Sequence, residues 1–447
     1  VLFANKPFGY MLILFTLLVV LAGCGVRSDA STGVSPNSPI ATASTEVTAT
    51  SSIPNAASSV APTATPSAST SISTSSTTTS TSTLPSTSTL PSTSTSTSTS
   101  TSTSASTPTV NTTEENIALT NPAQAPILLV THSKSDYISF LDPATGHFEK
   151  LIVGKAPFAI AEGPNHRAYV STAEGIAVVD TQSRIRVALV PYQTAIGKPQ
   201  YGEYRPGGMG IAVSPDGKFV YVGVYVSGSS TKSQLEIMDT TKLAVIGSVP
   251  IGIRPFDLVT SLDGREVYSI DHDSYSVTAV DSSTHKARTL EAAPFGRGGF
   301  EKPHYAVVRG DGHLLLPYQG RGLVVLDPVS GKYETKPLTG NTHQEGVAFT
   351  PDGKQMLIVG IGAAGSATGK PNLTVLDVNT YTEKIIPLTR MHQMVASSAD
   401  GHYAYLTGGV TYADTGWNGM TVVDLQSGAI RELELPDYPL DVQLLSR

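Results

Sequence analysis

Between residues 125 and 447 the apolar positions fall into short runs, about four to eight residues each, broken at close intervals by Gly, Pro, Asn and Asp. Such runs read as strands. One kind ends in Asp and occurs seven times: "ISFLDPATG", "IAVVDTQS", "LEIMDTTK", "VTAVDSST", "LVVLDPVSG", "LTVLDVNT" and "MTVVDLQSG". The aspartates are Asp142, Asp180, Asp239, Asp281, Asp327, Asp377 and Asp424. Each opens a turn whose backbone its own carboxylate can bond, so all seven are given a structural role. A second hairpin lies between successive aspartates. "GIAVSPDGKFVYVGVY", "DLVTSLDGREVYSID", "AVVRGDGHLLLPYQ", "GVAFTPDGKQMLIVG" and "MVASSADGHYAYLTGG" share an Asp-Gly turn between β-rich runs, and "FAIAEGPNHRAYVST" is a version without it. Each unit is therefore four strands, a to d. Four-stranded units at a period of about 40–50 residues predict a β-propeller.

The two ends of this region fit together. "ILLVTH" and "YISFLD" match strands b and c with no strand a before them, and "YPLDVQLLSR" matches strand a alone. The expected fold is all-β: a seven-bladed propeller over 125–447, closed when the C-terminal strand completes the first blade.

The N-terminal part breaks the pattern. Lys6 precedes the apolar run "YMLILFTLLVVLA", residues 10–22, which is short for a membrane span. "LAGC", Leu21 to Cys24, follows and resembles the bacterial lipobox. The expectation is a lipoprotein signal peptide over 1–23 and lipidation of Cys24, anchoring the protein to the extracytoplasmic side of a bacterial membrane. Cys24 is the only cysteine, so no disulfide can form. Residues 24–124 are Ser/Thr-rich, with a "STSTSTSTSTSTS" core, and hold too few large apolar side chains to offset the entropy of ordering. They are expected to be a disordered linker spanning roughly 50–60 Å. A net charge of −7 argues against nucleic-acid binding. A monomer is expected.

The unit "SPDGKFVYVGVY…LEIMDTTKLAVIGSVPIGIRPFDLV" is similar to YVTN-type seven-bladed propellers, whose superfamily includes the cytochrome d1 domain and seven-bladed lactonases. The resemblance covers residues 125–447 and implies the fold. It leaves the activity open, because these propellers host unrelated functions.

In such a blade the a–b and c–d turns share one face, and here they are uniformly short. Length variation falls on the other face, the top: residues 192–207 and 292–303 between blades, and 226–233, 361–371 and 408–418 within them. The ten histidines divide by face. His147, His166, His285, His313 and His402 fall in bottom turns, whereas His132, His272, His304, His343 and His392 fall at the top. The last three open strand a, the innermost strand, in three consecutive blades, which places them at the mouth of the central channel. Clustered imidazoles suit copper, zinc or iron. Strand parity qualifies a three-histidine metal site. His304 lies 7 residues before Asp311, His343 lies 9 before Asp352, and His392 lies 8 before Asp400. Offsets that differ by one point to opposite faces of a strand.

The entrances to strand a also carry Lys155, Arg205, Arg254, Lys302, His343 and Arg390, with Asp437 at the seventh. Converging cations around a concave mouth predict an anionic ligand, against the alternative of a solvated rim offset by Glu203, Glu301 and Glu345. "HQEG", His343 to Gly346, sets an acid beside an imidazole, which suits acid–base chemistry. The lactonase resemblance implies His, Arg and Glu at this face. No phosphate-cradling Gly loop, nucleophile elbow or CxxCH haem attachment is present. Trp417, the only Trp, is either a packed loop residue or a protein-partner anchor. Three functions remain in play: a ligand- or protein-binding module, a metal- or cofactor-using redox protein, and a lactonase-type hydrolase. The mouth side chains are expected to be solvent-facing, so that replacing them leaves stability nearly intact.

Overall fold

The computed structural model describes residues 126–226, 233–299, 301–340, 343–364, 367–409 and 417–446. The export segment, Cys24 and the Ser/Thr-rich linker lie outside them. The described residues form seven four-stranded antiparallel sheets, each a blade with strand a innermost. Blades 2 to 7 are continuous in sequence, over 160–191, 207–250, 255–291, 307–336, 344–387 and 395–434. Blade 1 combines three strands from the start of the domain, Leu128–His132, Tyr137–Leu141 and Phe148–Ile152, with the last strand, Pro439–Leu444, as its inner member. The ring thus closes as the sequence predicts. The pairing runs Leu128 to Leu444 and Val130 to Val442.

The repeated aspartates act as expected. Asp142, Asp239, Asp281, Asp327, Asp377 and Asp424 each accept a bond from the backbone N–H two residues on, at 2.8–3.0 Å, and Asp180 accepts from Ser183 three residues on. These bonds fix the c–d turns and use up the carboxylates. Strands a to c are largely buried and each strand d is mostly exposed on its outer side, so the apolar core lies between adjacent blades.

Two features of the inner strands shape the mouth. First, in blades 1, 3, 4 and 6 the a–b pairing slips by one residue at its top end. Such a bulge re-aims the side chains beside it. In blade 6 it falls between Gln344 and Val347, at Glu345 and Gly346. Gly346 has to be glycine, because a Cβ there would stand 2.6 Å from the Gln393 carbonyl of blade 7, to which its N–H donates. Second, the inner strand of blade 5 is reduced to Val307–Val308. The Ala306 N–H just before it donates instead to the Asp257 carboxylate of blade 4.

Below the mouth, Phe158, Met209, Phe256, Tyr305 and Leu440 belong to one apolar cluster on the ring axis. Phe256 contacts His272 and His304 on one side and lines a cavity of about 690 Å³ on the other. The floor of the mouth is therefore apolar.

Candidate functional site: an acid and imidazole cluster at the channel mouth

The histidines separate by face more sharply than the sequence implies. His132, His272, His304, His343 and His392 are all buried, whereas His147, His166, His285 and His402 are exposed and His313 is half-buried. The expected solvent-facing mouth is thus corrected.

At the centre stands Glu345. Its Oε2 lies 2.6 Å from His304 Nδ1 and its Oε1 lies 3.0 Å from His343 Nε2. Single donor atoms from His304, His343 and Glu345 lie within 4.8 Å of one another. The amide nitrogen of Gln319 lies 2.9 Å from His304 Nε2, which directs Nδ1 to the carboxylate. His272 stacks on His304 at 4.4 Å between ring centroids and is held by Asp273 at 2.8 Å. A second carboxylate reaches the same region from the long crossover between blades 2 and 3. Glu203 Oε2 accepts from the Tyr438 hydroxyl at 3.2 Å, and its Oε1 is buried without a partner.

The two carboxyls differ in charge state. Burial, and then the charge of Glu345, push Glu203 up to about 8. Burial also acts to raise Glu345, but the charge of His304 and the bonds from His304 and His343 outweigh it and hold Glu345 down. The site therefore sets a carboxyl whose surroundings favour the protonated form beside one whose surroundings favour the ionised form, the pairing that acid–base chemistry uses. Burial and the charge of His304 push His272 down to about 3, so it is neutral.

The three-histidine set is not brought together. His392 turns away: its Nε2 lies 2.7 Å from Thr421 Oγ1, and its ring meets Trp417 edge-on. The parity count does not decide this, because the bulge at Glu345 and Gly346 lies between His343 and Asp352 and because His304 and His392 precede their strands. Glu345 also lies 7 residues before Asp352, the same offset as His304 from Asp311, and this is the signal that unites them. His132 is structural. Its Nδ1 donates to the Pro436 carbonyl at 2.6 Å and its Nε2 accepts from Ser139, tying blade 1 to the chain that enters the closing strand. Trp417 is packed: it donates to the Met391 carbonyl, and a Cβ at Gly408 or Gly419 would collide with its ring.

The basic rim is already engaged. Arg205 is the largest fully buried side chain and donates to the carbonyls of Ala156, Pro206 and Gly208. Lys155 pairs with Glu174, and Arg390 lies 3.7 Å from Glu432. Arg254 and Lys302 share Asp273. These cations therefore do not converge on one ligand, and the anion-binding expectation loses the geometry it rested on. Glu203, Gln319, Asp273 and Tyr438 are the residues that sequence reasoning passed over or assigned to the rim. Only "YGEY", Tyr201 to Tyr204, within an elongated crossover, could have marked one of them.

The fold and the mouth together define a seven-bladed propeller with a buried cluster of ionisable side chains at its channel mouth. No family model matches the chain, and no curated protein matches it in sequence. Solved structures match in fold. The periplasmic gluconolactonase of Pseudomonas aeruginosa shares 13% identity at a TM-score of 0.52, over 72% of this chain and 99% of that one. A putative 6-phosphogluconolactonase from Bacteroides uniformis shares 14% at 0.52, over 72% and 100%. A protein from Lactobacillus plantarum shares 16% at 0.52, over 72% and 99%. These likenesses agree with the seven-bladed propeller fold that the sequence predicts.

Proposed function

We propose that this protein is an extracytoplasmic binding module, anchored through Cys24 and raised on the 24–124 linker, whose channel mouth takes a small polar ligand. One observation carries the reading. Among the described residues, eight buried side-chain polar atoms lack a hydrogen-bond partner, and two of them, Arg167 Nη1 and His313 Nδ1, themselves stand 3.2 Å from a carboxylate oxygen of Asp180 and Asp311. Setting aside His392, which the Arg390 backbone also engages, the rest are Ser133 Oγ, Glu203 Oε1, Arg254 Nε, His343 Nδ1 and Gln393 Oε1, and every one belongs to a top-face segment. Buried polar atoms in native proteins are nearly always satisfied, so a concentration of orphans marks where another molecule completes the bonding. The central groups are carboxyls and imidazoles, and the guanidinium and ammonium groups around them are paired. The ligand is therefore a hydroxyl-rich or cationic species rather than a simple anion.

A second reading is favoured by the divided charge states of Glu203 and Glu345. A protonated acid and an ionised carboxylate bonded to imidazole could open a lactone by general acid–base catalysis. The fold neighbours whose names include gluconolactonase are compatible with this.

Thermal unfolding of the full chain in detergent, against a panel of polyols, amines, sugar acids and lactones, tests both readings. A shift abolished by Glu203→Gln supports binding at the mouth, and lactone turnover abolished by the same change supports the hydrolase. No shift with any compound, or shifts unaffected by Glu203→Gln, would remove the mouth as the binding site.

A further inference from the structure

We infer that His304, His343 and Glu345 are the protein donors of a divalent transition-metal site in the mouth, an assignment that rests on the reading of the mouth as a binding site. Two imidazoles and one carboxylate are the donor set of open catalytic zinc sites and of facial-triad iron sites, and they leave coordination positions for a ligand. Here the three side chains come from the inner ends of adjacent blades 5 and 6, are all buried, and present donor atoms within 4.8 Å of one another. In a tetrahedral site with bonds of ~2.1 Å the donors stand ~3.4 Å apart, so closing on an ion asks for at most roughly 1.4 Å of adjustment in any pair.

The surroundings fit a metal better than a purely structural network. His132, which is structural, has both ring nitrogens bonded, to a carbonyl and a hydroxyl. In the Glu345 set both carboxylate oxygens go to imidazoles, and His343 keeps a buried Nδ1 without a partner. Glu203 adds a second carboxyl whose electrostatic influence reaches Glu345, and its buried Oε1 is also without a partner. Among the described residues no Lys or Arg forms an ion pair with either Glu203 or Glu345. Among these residues only imidazoles pair with Glu345, and imidazoles with a carboxylate are the groups a divalent transition metal binds.

Orientation is provided for as well. Gln319 lies against His304 Nε2, and either end of its amide can face the ring. With Nδ1 on the metal, the amide oxygen accepts the Nε2 proton, the outer-shell bond that metal-binding histidines commonly make. The apolar floor of Phe256 beneath His272 and His304 limits access by water from below.

The test uses the full chain in detergent, stripped with chelator and titrated calorimetrically with Zn²⁺, Fe²⁺ and Cu²⁺, with Mg²⁺ and Ca²⁺ as hard-ion controls. One transition-metal ion is expected per chain, with a raised unfolding temperature. Glu345→Gln and His343→Gln should each weaken binding by about 100-fold or more, beyond the loss typical of an outer-shell change. His402→Ala, on the bottom face, should bind as the wild type does. Circular dichroism checks that each variant is folded, and should Glu345→Gln fail, His343→Gln carries the test. No stoichiometric ion in the wild type, or undiminished binding in the folded variants, overturns the assignment. If the stripped protein still shows a Glu203-dependent shift with a polar compound but takes no metal, the metal site falls and the binding reading stands. If it shows neither, both fall.

Discussion

His304 and Glu345 face each other across the boundary between blades 5 and 6, joined at 2.6 Å although 41 residues apart in sequence. Both are buried, and each stands 7 residues before the Asp of its own a–b turn. The propeller repeat thus places two complementary groups at equivalent positions of neighbouring blades. The result is a bond between blades as well as a candidate ligand site.

This bond should matter for stability, contrary to what an exposed mouth would imply. Breaking a buried charged pair by removing one partner costs about 3–5 kcal/mol. Glu345→Ala is expected in that range. Glu345→Gln, which keeps the shape and one acceptor, should cost about 1–3 kcal/mol. Urea unfolding measures both. Values within about 0.5 kcal/mol of wild type for both would show that the pair contributes nothing to folding.

Arg205 and Lys155 should behave oppositely although both were candidate ligand cations. Arg205 is buried and bonds three backbone carbonyls, so Arg205→Ala leaves acceptors unpaired and opens a cavity. A loss of about 3 kcal/mol or more is expected. Lys155 is half-exposed beside Glu174, and Lys155→Ala should change stability by less than about 1 kcal/mol. Chemical denaturation of the two variants decides the contrast, and equal effects would refute it.

Deleting residues 437–447 should abolish cooperative folding. The deletion removes the inner strand of blade 1, the Asp441 carboxylate that accepts from the Ile160 N–H of blade 2, and Tyr438, the partner of Glu203. It also leaves an unpaired strand edge. A sharp thermal transition near that of the intact chain would contradict this account of closure.

Two sets of buried groups should give stability an optimum in pH. Burial pushes Asp271 and Asp441 up to about 7 and Asp257 up to about 6. Their favourable contribution is complete below about pH 4 and is lost as pH rises through 6 to 7. Burial also pushes His132 down to about 4 and His392 down to about 3. Their contribution is complete above about pH 6.5 and is lost as pH falls towards 3 to 4. Asp271 accepts only from the hydroxyls of Ser269, Ser276 and Thr278 and from one backbone N–H, so Asp271→Asn can keep most of this bonding. Stability measured by urea unfolding from pH 4 to 8 should decline less in Asp271→Asn than in wild type. Identical slopes would show that Asp271 does not titrate in this window.

The sequence by itself determined the architecture, because each element is coded locally. Asp-Gly and Asp-initiated turns, alternating apolar runs and a lone strand a at the C-terminus require no knowledge of distant contacts, and their repetition leaves the propeller as the consistent solution. It also determined which face carries the buried histidines, since the position of a residue relative to its turn fixes its end of the blade. Strand parity could not go further, because a bulge separates His343 from its turn and because His304 and His392 precede their strands. The tertiary structure alone decided the chemistry of the mouth. Glu203 arrives on a crossover whose path no local pattern encodes, and the bulge at Glu345 aims its carboxylate between two imidazoles of the ring. The fate of the rim cations was likewise invisible in the chain, because charge in a sequence says nothing of partners. Arg205 folds inward onto carbonyls, and Arg254 and Lys302 converge on Asp273. Ring closure brings these groups together, and burial then sets which of them are charged.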